Sequence, residues 1–314
     1  MPDRSAPPTT DDFAHASAVL RLLELQVTRK LDGLLHGEHL GLVPGVGSES
    51  GEARPYAAGD DVRYIDWNLT ARMNDPYIRE PIADRELETW VVADRSASLD
   101  FGTAEREKRD LVTAAAAAIG FLVARGGNRV GGVVIDELGA APAVVPPRNG
   151  RVAMLALLER LDRAGRHDTP ARGADLATAI ETCGRVAKRR GFVWVVSDFL
   201  TPAGWDRSLR VLAARHEVLA VEVIDPRELE LPDVGLLTVV DPESGHTLEV
   251  PTQKKSVREQ YAAAAAEQRE EIAHTLRAAG VGHLQLRTDR DWLLDIVRFV
   301  ADRRRARFAG VANS

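Results

Sequence analysis

Short apolar runs alternate with longer segments of helical periodicity from residue 86 towards the C-terminal end of the chain. The short runs predict strands and the periodic segments predict helices. Strands are predicted at residues 87–93, 129–135, 143–146, 192–196, 217–224 and 283–286. Helices are predicted at residues 104–125, 152–164, 176–189, 205–215, 257–279 and 292–307, the first of them capped by Thr103. Repeated strand–helix–strand units of this length indicate an α/β fold, a doubly wound and mostly parallel sheet with helices on both faces.

The N-terminal quarter of the chain has a different pattern. Apolar residues recur at helical spacing over residues 12–35, which predicts a helix, and the Gly-rich stretch 36–52 predicts a loop. Residues 52–85 carry many charged and aromatic side chains with little periodicity. This region is therefore expected to form an irregular appendage on the α/β domain.

These patterns divide the chain into four parts. We predict a disordered tail (1–11), an N-terminal segment (12–85), an α/β domain (86–309) and a short C-terminal tail (310–314). Within the domain, strand patterns at residues 236–240 and 247–250 flank Asp-Pro-Glu-Ser-Gly, which predicts a β-hairpin inserted at about residues 231–250.

Composition narrows the class of protein. Hydrophobic residues make up 45% of the chain, which is enough for a folded core. The net charge is −6, and an acidic chain of this kind is not expected to bind nucleic acid. The longest apolar stretch, residues 111–123, is shorter than the roughly 20 residues that a membrane span requires. With no recognisable secretory signal, a cytoplasmic protein is expected.

The basic residues carry little functional information, whereas the single cysteine excludes two kinds of site. Only five of the 41 basic residues are lysines, so arginine clusters reflect a general bias and carry little functional information. The single cysteine, Cys183, excludes a disulfide framework and a cysteine-based zinc site. Its position in a predicted helix favours a packing role, and His36 and His39 are interpreted as loop residues.

The ends of two predicted strands carry oxygen ligands. The strand at 87–93 runs into Asp94, with Ser96 and Ser98 at alternate positions, and the strand at 192–196 runs into Ser197 and Asp198. Ligands of open α/β sheets bind at the carboxyl ends of the strands. Carboxylate and hydroxyl oxygens suit a hard cation such as Mg²⁺ or Mn²⁺. The alternative is that these side chains only cap helices and satisfy loop amides.

A longer motif identifies a family. Residues 54–72 contain Arg54-Pro-Tyr56, Asp60, Arg63, Asp66-Trp67 and Thr-Ala-Arg72, and this block resembles the signature of the domain-of-unknown-function 58 family. Further matches lie at residues 196–199, 225–228 and 231–233, so that the resemblance covers about residues 30–305. The resemblance implies a von Willebrand factor A-like domain. It also implies an association with MoxR-type AAA+ ATPases.

The same resemblance implies a metal-ion-dependent adhesion site. Asp94, Ser96 and Ser98 match its first loop, and Asp198 matches its strand-terminal acid. The family's threonine ligand is replaced by Ala174, which has no oxygen to offer; Thr169 or Asp175 could compensate. The site is thus expected either to bind Mg²⁺ or Mn²⁺ weakly or to be degenerate.

The block at residues 54–72 has two interpretations. Arg54, Asp60, Arg63 and Asp66 could form an ion-pair network that fixes the segment to the sheet, with Ile65 and Trp67 in the core. Alternatively, Arg54, Tyr56, Asp60, Arg63, Asp66 and Arg72 form a partner-binding surface.

Three functions follow from these observations. The first is a non-enzymatic adaptor that works with a MoxR-type ATPase on a client protein, as the resemblance implies. The second is a Mg²⁺-dependent phosphohydrolase with Asp94 as nucleophile, although Ser96 stands where such an enzyme requires a second acid. The third is a structural module with a vestigial metal site. No phosphate-binding loop of the G-x-x-x-x-G-K-[ST] type is present, so the chain is not expected to hydrolyse ATP.

Overall fold

The computed structural model of the chain describes residues 53–57, 60–73, 75–79, 88–104, 106–125, 128–135, 141–163, 175–201, 204–240 and 246–311. The predicted helix at 12–35, the Gly-rich loop at 36–52 and the terminal residues 1–11 and 312–314 lie outside these ranges.

The described residues form ten strands and seven α-helices. The strands are β1 (Ala53–Pro55), β2 (Tyr77–Arg79), β3 (Glu88–Ala93), β4 (Arg129–Val134), β5 (Ala143–Asn149), β6 (Gly191–Ser197), β7 (Glu217–Ile224), β8 (Leu236–Val240), β9 (Thr247–Pro251) and β10 (Gly282–Arg287). The helices are α1 (Trp67–Met73), α2 (Lys108–Arg125), α3 (Gly150–Arg163), α4 (Leu176–Val186), α5 (Trp205–Ala213), α6 (Lys255–Ala278) and α7 (Trp292–Val311).

Six of the strands form one sheet in the order β10-β7-β6-β3-β4-β5. All neighbours are parallel except β5, which runs antiparallel to β4 at the edge. The four parallel strands at the centre of the sheet are almost entirely buried, which explains why they are continuous apolar runs in the sequence. The predicted doubly wound, mostly parallel sheet is confirmed.

Helices cover both faces of this sheet. Val91 and Ala93 of β3 point into a core formed with α2, α3 and α7. Trp90 and Val92 point the other way, into a core formed with α4, α5 and α6. Alternate side chains of one strand therefore serve two separate cores, as expected for a three-layer domain. No helix in the described ranges is long and apolar enough to cross a membrane.

The strand order reverses between β3 and β6. These two strands are parallel neighbours, and Ala93 at the end of β3 is paired with Val196 near the end of β6. The backbone N–H of Asp94 donates to the Val196 carbonyl at 2.9 Å, so both chains leave the sheet at the same level. Such a reversal opens a crevice at the carboxyl ends of the strands, where α/β proteins bind their ligands.

Two small antiparallel sheets are separate from the main sheet. β1 pairs with β2 in the N-terminal segment, and β8 pairs with β9 to form the predicted hairpin. Buried Thr252 anchors the base of the hairpin, donating its hydroxyl to the Gly235 carbonyl at 2.8 Å and accepting the Val234 N–H.

Two local predictions are wrong. The helix predicted at 104–125 begins at Lys108, because Thr103 does not cap it: its N–H and hydroxyl both donate to the Asp225 carboxylate. Trp67 is not in the core but 71% exposed, since α1 buries none of its residues and the buried apolar residue of this segment is Ile78 on β2.

Candidate interaction site at the strand ends

The site begins with Asp94, the residue that follows β3. Its carboxylate is fully buried beneath the turn that contains Ser96 and Ser98. Oδ1 accepts the backbone N–H of Ser96 at 2.9 Å, and Oδ2 accepts the hydroxyl of Ser197 from β6 at 2.6 Å. The side chain therefore joins the two strands that flank the reversal of the sheet.

Ser96 and Ser98 lie above this carboxylate. Their hydroxyl oxygens are 3.1 Å apart, and both side chains are half-buried. Leu99, which follows them, is completely buried and fixes the turn to the core. The two hydroxyls are thus held as a pair at the surface of the site.

Asp198 occupies the equivalent position after β6 and is also fully buried. Its Oδ1 accepts the Leu200 N–H at 3.1 Å. Its Oδ2 accepts the ammonium of Lys108 at 2.8 Å. Asp94 and Asp198 therefore follow neighbouring strands, as the strand register shows.

The pKa values of these two carboxyl groups are shifted in opposite directions. Burial, together with the charge of Asp198, raises the pKa of Asp94 to about 6. Burial also acts to raise the pKa of Asp198, but the Lys108 ammonium together with hydrogen bonds from Leu200 and Ser98 holds that pKa below the usual value. Asp198 is consequently ionised well below neutral pH, whereas Asp94 loses its proton only as the pH rises through about 6.

Lys108 is the residue at this site that the sequence analysis missed. It is the first residue of α2, is 1% exposed, and its ammonium lies between Asp198 and Glu228, 2.5 Å from the Glu228 Oε1. Burial alone would lower its pKa, yet the two carboxylates raise it above the usual value. A signal was available, since a lysine at the start of a long apolar helical segment is unusual in a chain with only five lysines.

The motif at 225–228 builds the other side of the Lys108 site. Asp225 is fully buried and accepts the hydroxyls of Thr103 and Thr288, at 2.6 and 2.8 Å. Glu228 returns to the N–H of Asp225 through its Oε2, which completes a capping box and leaves its Oε1 for Lys108. The motif therefore serves to position Glu228.

The charges continue away from the site through Arg269 on α6. Its Nη1 donates to the Asp198 carbonyl at 3.2 Å and to the buried Glu222 carboxylate of β7 at 2.8 Å. Glu222 also contacts the His283 Nε2 at 2.7 Å. Buried acids and bases thus alternate from the strand ends of β6 to β10, and each acid is paired.

The residues at the site can be tested for their fit to a divalent cation. The structure brings Asp94, Ser96, Ser98 and Asp198 together, and oxygens of this kind would hold Mg²⁺ or Mn²⁺. One carboxylate oxygen of Asp198, however, already accepts a hydrogen bond from the Lys108 ammonium. No group of three or more His, Cys, Asp or Glu side chains suited to a metal occurs in the described ranges.

Lys108 therefore argues against a divalent cation at the four predicted ligands, and Mg²⁺ or Mn²⁺ binding stays a prediction. Ala174 and Thr169 lie outside the described residues. Asp175 caps α4 by accepting the Thr178 N–H at 2.7 Å.

The predicted partner-binding residues form short-range pairs within the N-terminal segment. Arg54 binds Asp60 through both guanidinium nitrogens, at 2.7 and 2.8 Å, which lowers the Asp60 pKa to about 2. Arg63 binds its neighbour Asp61 at the surface. Asp66 accepts the N–H groups of Asn68 and Leu69 in the first turn of α1. Arg72, in the last turn of this helix, is exposed. Tyr56 is half-buried, and its N–H donates to the Pro76 carbonyl.

Comparison with curated proteins finds close relatives in mycobacteria. Uncharacterized proteins of Mycobacterium bovis and Mycobacterium tuberculosis are each 55% identical to this chain over 299 residues, covering 95% of it and 93% of the relative.

Solved structures similar to this chain are more distant. A conserved hypothetical protein, BatB, from Bacteroides thetaiotaomicron is 14% identical with a TM-score of 0.42, covering 68% of this chain and 99% of its own. A von Willebrand factor type A protein from Catenulispora acidiphila is 19% identical with a TM-score of 0.34, covering 56% and 42%.

The family comparison covers most of the domain and the segment before it. The matching family model is described as "Protein of unknown function DUF58", and it spans residues 52–271, from the block at 54–72 to Arg269. The chain belongs to this family.

Proposed function

We propose that this protein is a non-enzymatic interaction module that works as an adaptor between a MoxR-type AAA+ ATPase and a client protein during assembly or maturation of the client. The choice of ATPase rests on the resemblance carried by the block at residues 54–72. The interaction role rests on the surface that this block presents and on the chemistry of the strand-end site.

The exposed side chain of Trp67 is the observation that carries the proposal. Trp67 is 71% exposed on α1, and Val62 and Met73 in the same segment are 60% and 52% exposed. Tryptophan is strongly enriched among the side chains that dominate binding at protein interfaces. A tryptophan left in solvent by a family-specific motif is better explained by a partner than by the fold.

The strand-end site does not have the features of a hydrolase. A nucleophile must reach its substrate, but the Asp94 carboxylate is fully buried, and each of its oxygens accepts a hydrogen bond. The position that would hold a general acid is occupied by Ser96. The accessible groups are the two serine hydroxyls, which suit hydrogen bonding to a partner.

Binding to the purified ATPase from the same cell tests the proposal. Trp67→Ala is expected to weaken binding by about tenfold or more, because truncating an interface tryptophan typically costs well over 1 kcal/mol. Leu248→Ala is the matched control, since Leu248 is 67% exposed on β9 and lies outside the family-specific block. Calorimetry or biolayer interferometry measures both.

Equal affinity of wild type and Trp67→Ala for the ATPase would contradict this assignment of the surface. A Mg²⁺-dependent phosphatase assay on the same preparation tests the non-enzymatic part. Turnover that disappears in Asp94→Asn would establish an enzyme instead.

A further inference from the structure

We propose that the Lys108 ammonium takes the place of the divalent cation at the strand-end site, so that the site is complete without a metal ion. The inference rests on the geometry around Lys108 and does not depend on the identity of the partner.

The ammonium is bound to the acid that a metal would need. Lys108 Nζ lies 2.8 Å from Asp198 Oδ2, and the other Asp198 oxygen accepts the Leu200 N–H. The Ser98 hydroxyl hydrogen-bonds to the same carboxylate. Lys108 therefore occupies one oxygen of the acid that a metal ion at this site would need.

The charge of Asp198 is already paired at this site. Lys108 binds both Asp198 and Glu228, and Glu228 also contacts Arg269, which binds Glu222 as well. A divalent cation bound to Asp198 would place two further positive charges next to a buried ammonium. Such like-charge contacts are strongly unfavourable where water is excluded.

Lys108 cannot move aside without cost. Its backbone N–H donates to the Phe101 carbonyl at 2.9 Å, which fixes the start of α2. If its side chain turned to solvent, the fully buried Asp198 carboxylate would lose its ion pair, and Glu228 would keep only the 3.4 Å contact with Arg269 as an ion pair. A metal would have to displace a cation that the fold holds in place.

The residue type and its position support the same conclusion. A cation at the first residue of a helix opposes the helix dipole, so nothing in α2 itself favours lysine there. In a chain that uses arginine for most of its basic positions, this one carries a compact ammonium, which fits between two carboxylates in less space than a planar guanidinium.

Thermal unfolding of the full-length wild-type protein gives the first test. Its Tm in EDTA and in millimolar Mg²⁺ or Mn²⁺ is expected to agree within about 1 °C, because an ion that does not bind the folded state does not stabilise it. An electron paramagnetic resonance titration should show that added Mn²⁺ remains free. A higher Tm with either ion that is lost in Asp94→Ala, or Mn²⁺ binding that requires Asp94, overturns the proposal.

Lys108→Met gives the second test. In EDTA its Tm is expected to fall by roughly 6–20 °C, since the buried Asp198 and the partly buried Glu228 lose the Lys108 ammonium. Mg²⁺ or Mn²⁺ should restore part of the loss by supplying the missing charge. Lys255→Met is the control: Lys255 is exposed, pairs with Glu259 on α6, and should show neither effect.

If Lys108→Met folds but neither Mg²⁺ nor Mn²⁺ raises its Tm, the proposal is overturned, because the vacated position is then not a cation site. If Lys108→Met does not fold, the double variant Lys108→Met/Glu228→Gln removes one unpaired charge and is tested in the same way. Should neither variant fold, the wild-type titration decides the question alone.

Discussion

Asp94 and Asp198 show how the pKa values of two identical side chains at neighbouring strand ends are shifted in opposite directions. Both are fully buried, and burial disfavours the charged form of each. Only Asp198 has a cation beside it, and its charge in turn opposes ionisation of Asp94. The Lys108 side chain therefore lowers the pKa of Asp198 directly, and the resulting charge on Asp198 helps to raise the pKa of Asp94.

The raised pKa of Asp94 predicts a pH dependence of stability. Its pKa of about 6 in the folded state lies above the usual value of 3.8, so the folded state binds the proton more tightly than the unfolded state does. Its contribution to stability is full below pH 4 and is lost as the pH rises through 6. Relative to wild type, Asp94→Asn should thus gain about 1–3 kcal/mol between pH 4 and pH 7.

Urea unfolding of both proteins at several pH values between 4 and 7 measures this difference. If the free energies of unfolding of wild type and Asp94→Asn differ by the same amount at every pH, the assigned pKa is contradicted. Such a constant difference would reflect only the changed hydrogen bond to Ser197.

At the scale of the element, the strands were the most predictable part of the molecule. β7 and β8 have the predicted bounds, because a strand buried on both faces or paired in a hairpin is visible in its own residues. The start of α2 was not predictable from local sequence. Thr103 is a good capping residue, but the Asp225 carboxylate, 122 residues away in the chain, binds it instead.

The same limit applies to the site. Asp94, Ser96, Ser98 and Asp198 follow apolar strands and could be predicted to meet. The role of Lys108 depends on Glu228, which is placed by a turn after β7, and no local pattern links the two. Trp67 was assigned to the core because tryptophan is usually buried, and its exposure depends on how the short α1 is packed.

Two glycines in neighbouring elements should respond in opposite directions to the same substitution. A Cβ on Gly191 of β6 would lie 2.0 Å from the Glu88 carbonyl oxygen of β3, a backbone atom that cannot move without shifting the sheet. Gly191→Ala should therefore destabilise the protein by about 1–3 kcal/mol.

Gly184 in α4 is the matched position. A Cβ there would lie 3.6 Å from Leu212 Cδ1, an ordinary contact, so Gly184→Ala should stabilise the protein by about 0.5–1 kcal/mol through helix propensity. Chemical denaturation of both variants provides the comparison. A destabilised Gly184→Ala, or an unaffected Gly191→Ala, would contradict the packing described between these elements.

At the scale of the whole molecule, the buried charges connect both helical layers to the centre of the sheet. Lys108 lies on α2, in one layer, and Arg269 lies on α6, in the other. Both reach Asp198, one through its carboxylate and the other through its carbonyl. Because the network contains its own cations, it can hold the serine pair in position independently of the ionic composition of the solvent.

Chelators should therefore not affect partner binding. Capture of the ATPase by the wild-type protein is expected to be the same in EDTA and in Mg²⁺ when the ATPase itself is kept in one nucleotide state. Loss of capture in EDTA that Asp94→Ala reproduces would show that the interaction needs a metal. Binding measured with wild type and Asp94→Ala in both buffers distinguishes these outcomes.

The long sequence separations within this network also set an order of events during synthesis. Lys108 is 90 residues from Asp198 and 120 residues from Glu228, and Arg269 is a further 41 residues along the chain. Contacts between such distant residues close large loops and form late in folding. A nascent chain that has not yet presented Arg269 outside the ribosome holds an incomplete network, with Lys108 still hydrated. A partner that recognises the strand-end surface would consequently engage chains in which α6 has been synthesised in preference to shorter ones.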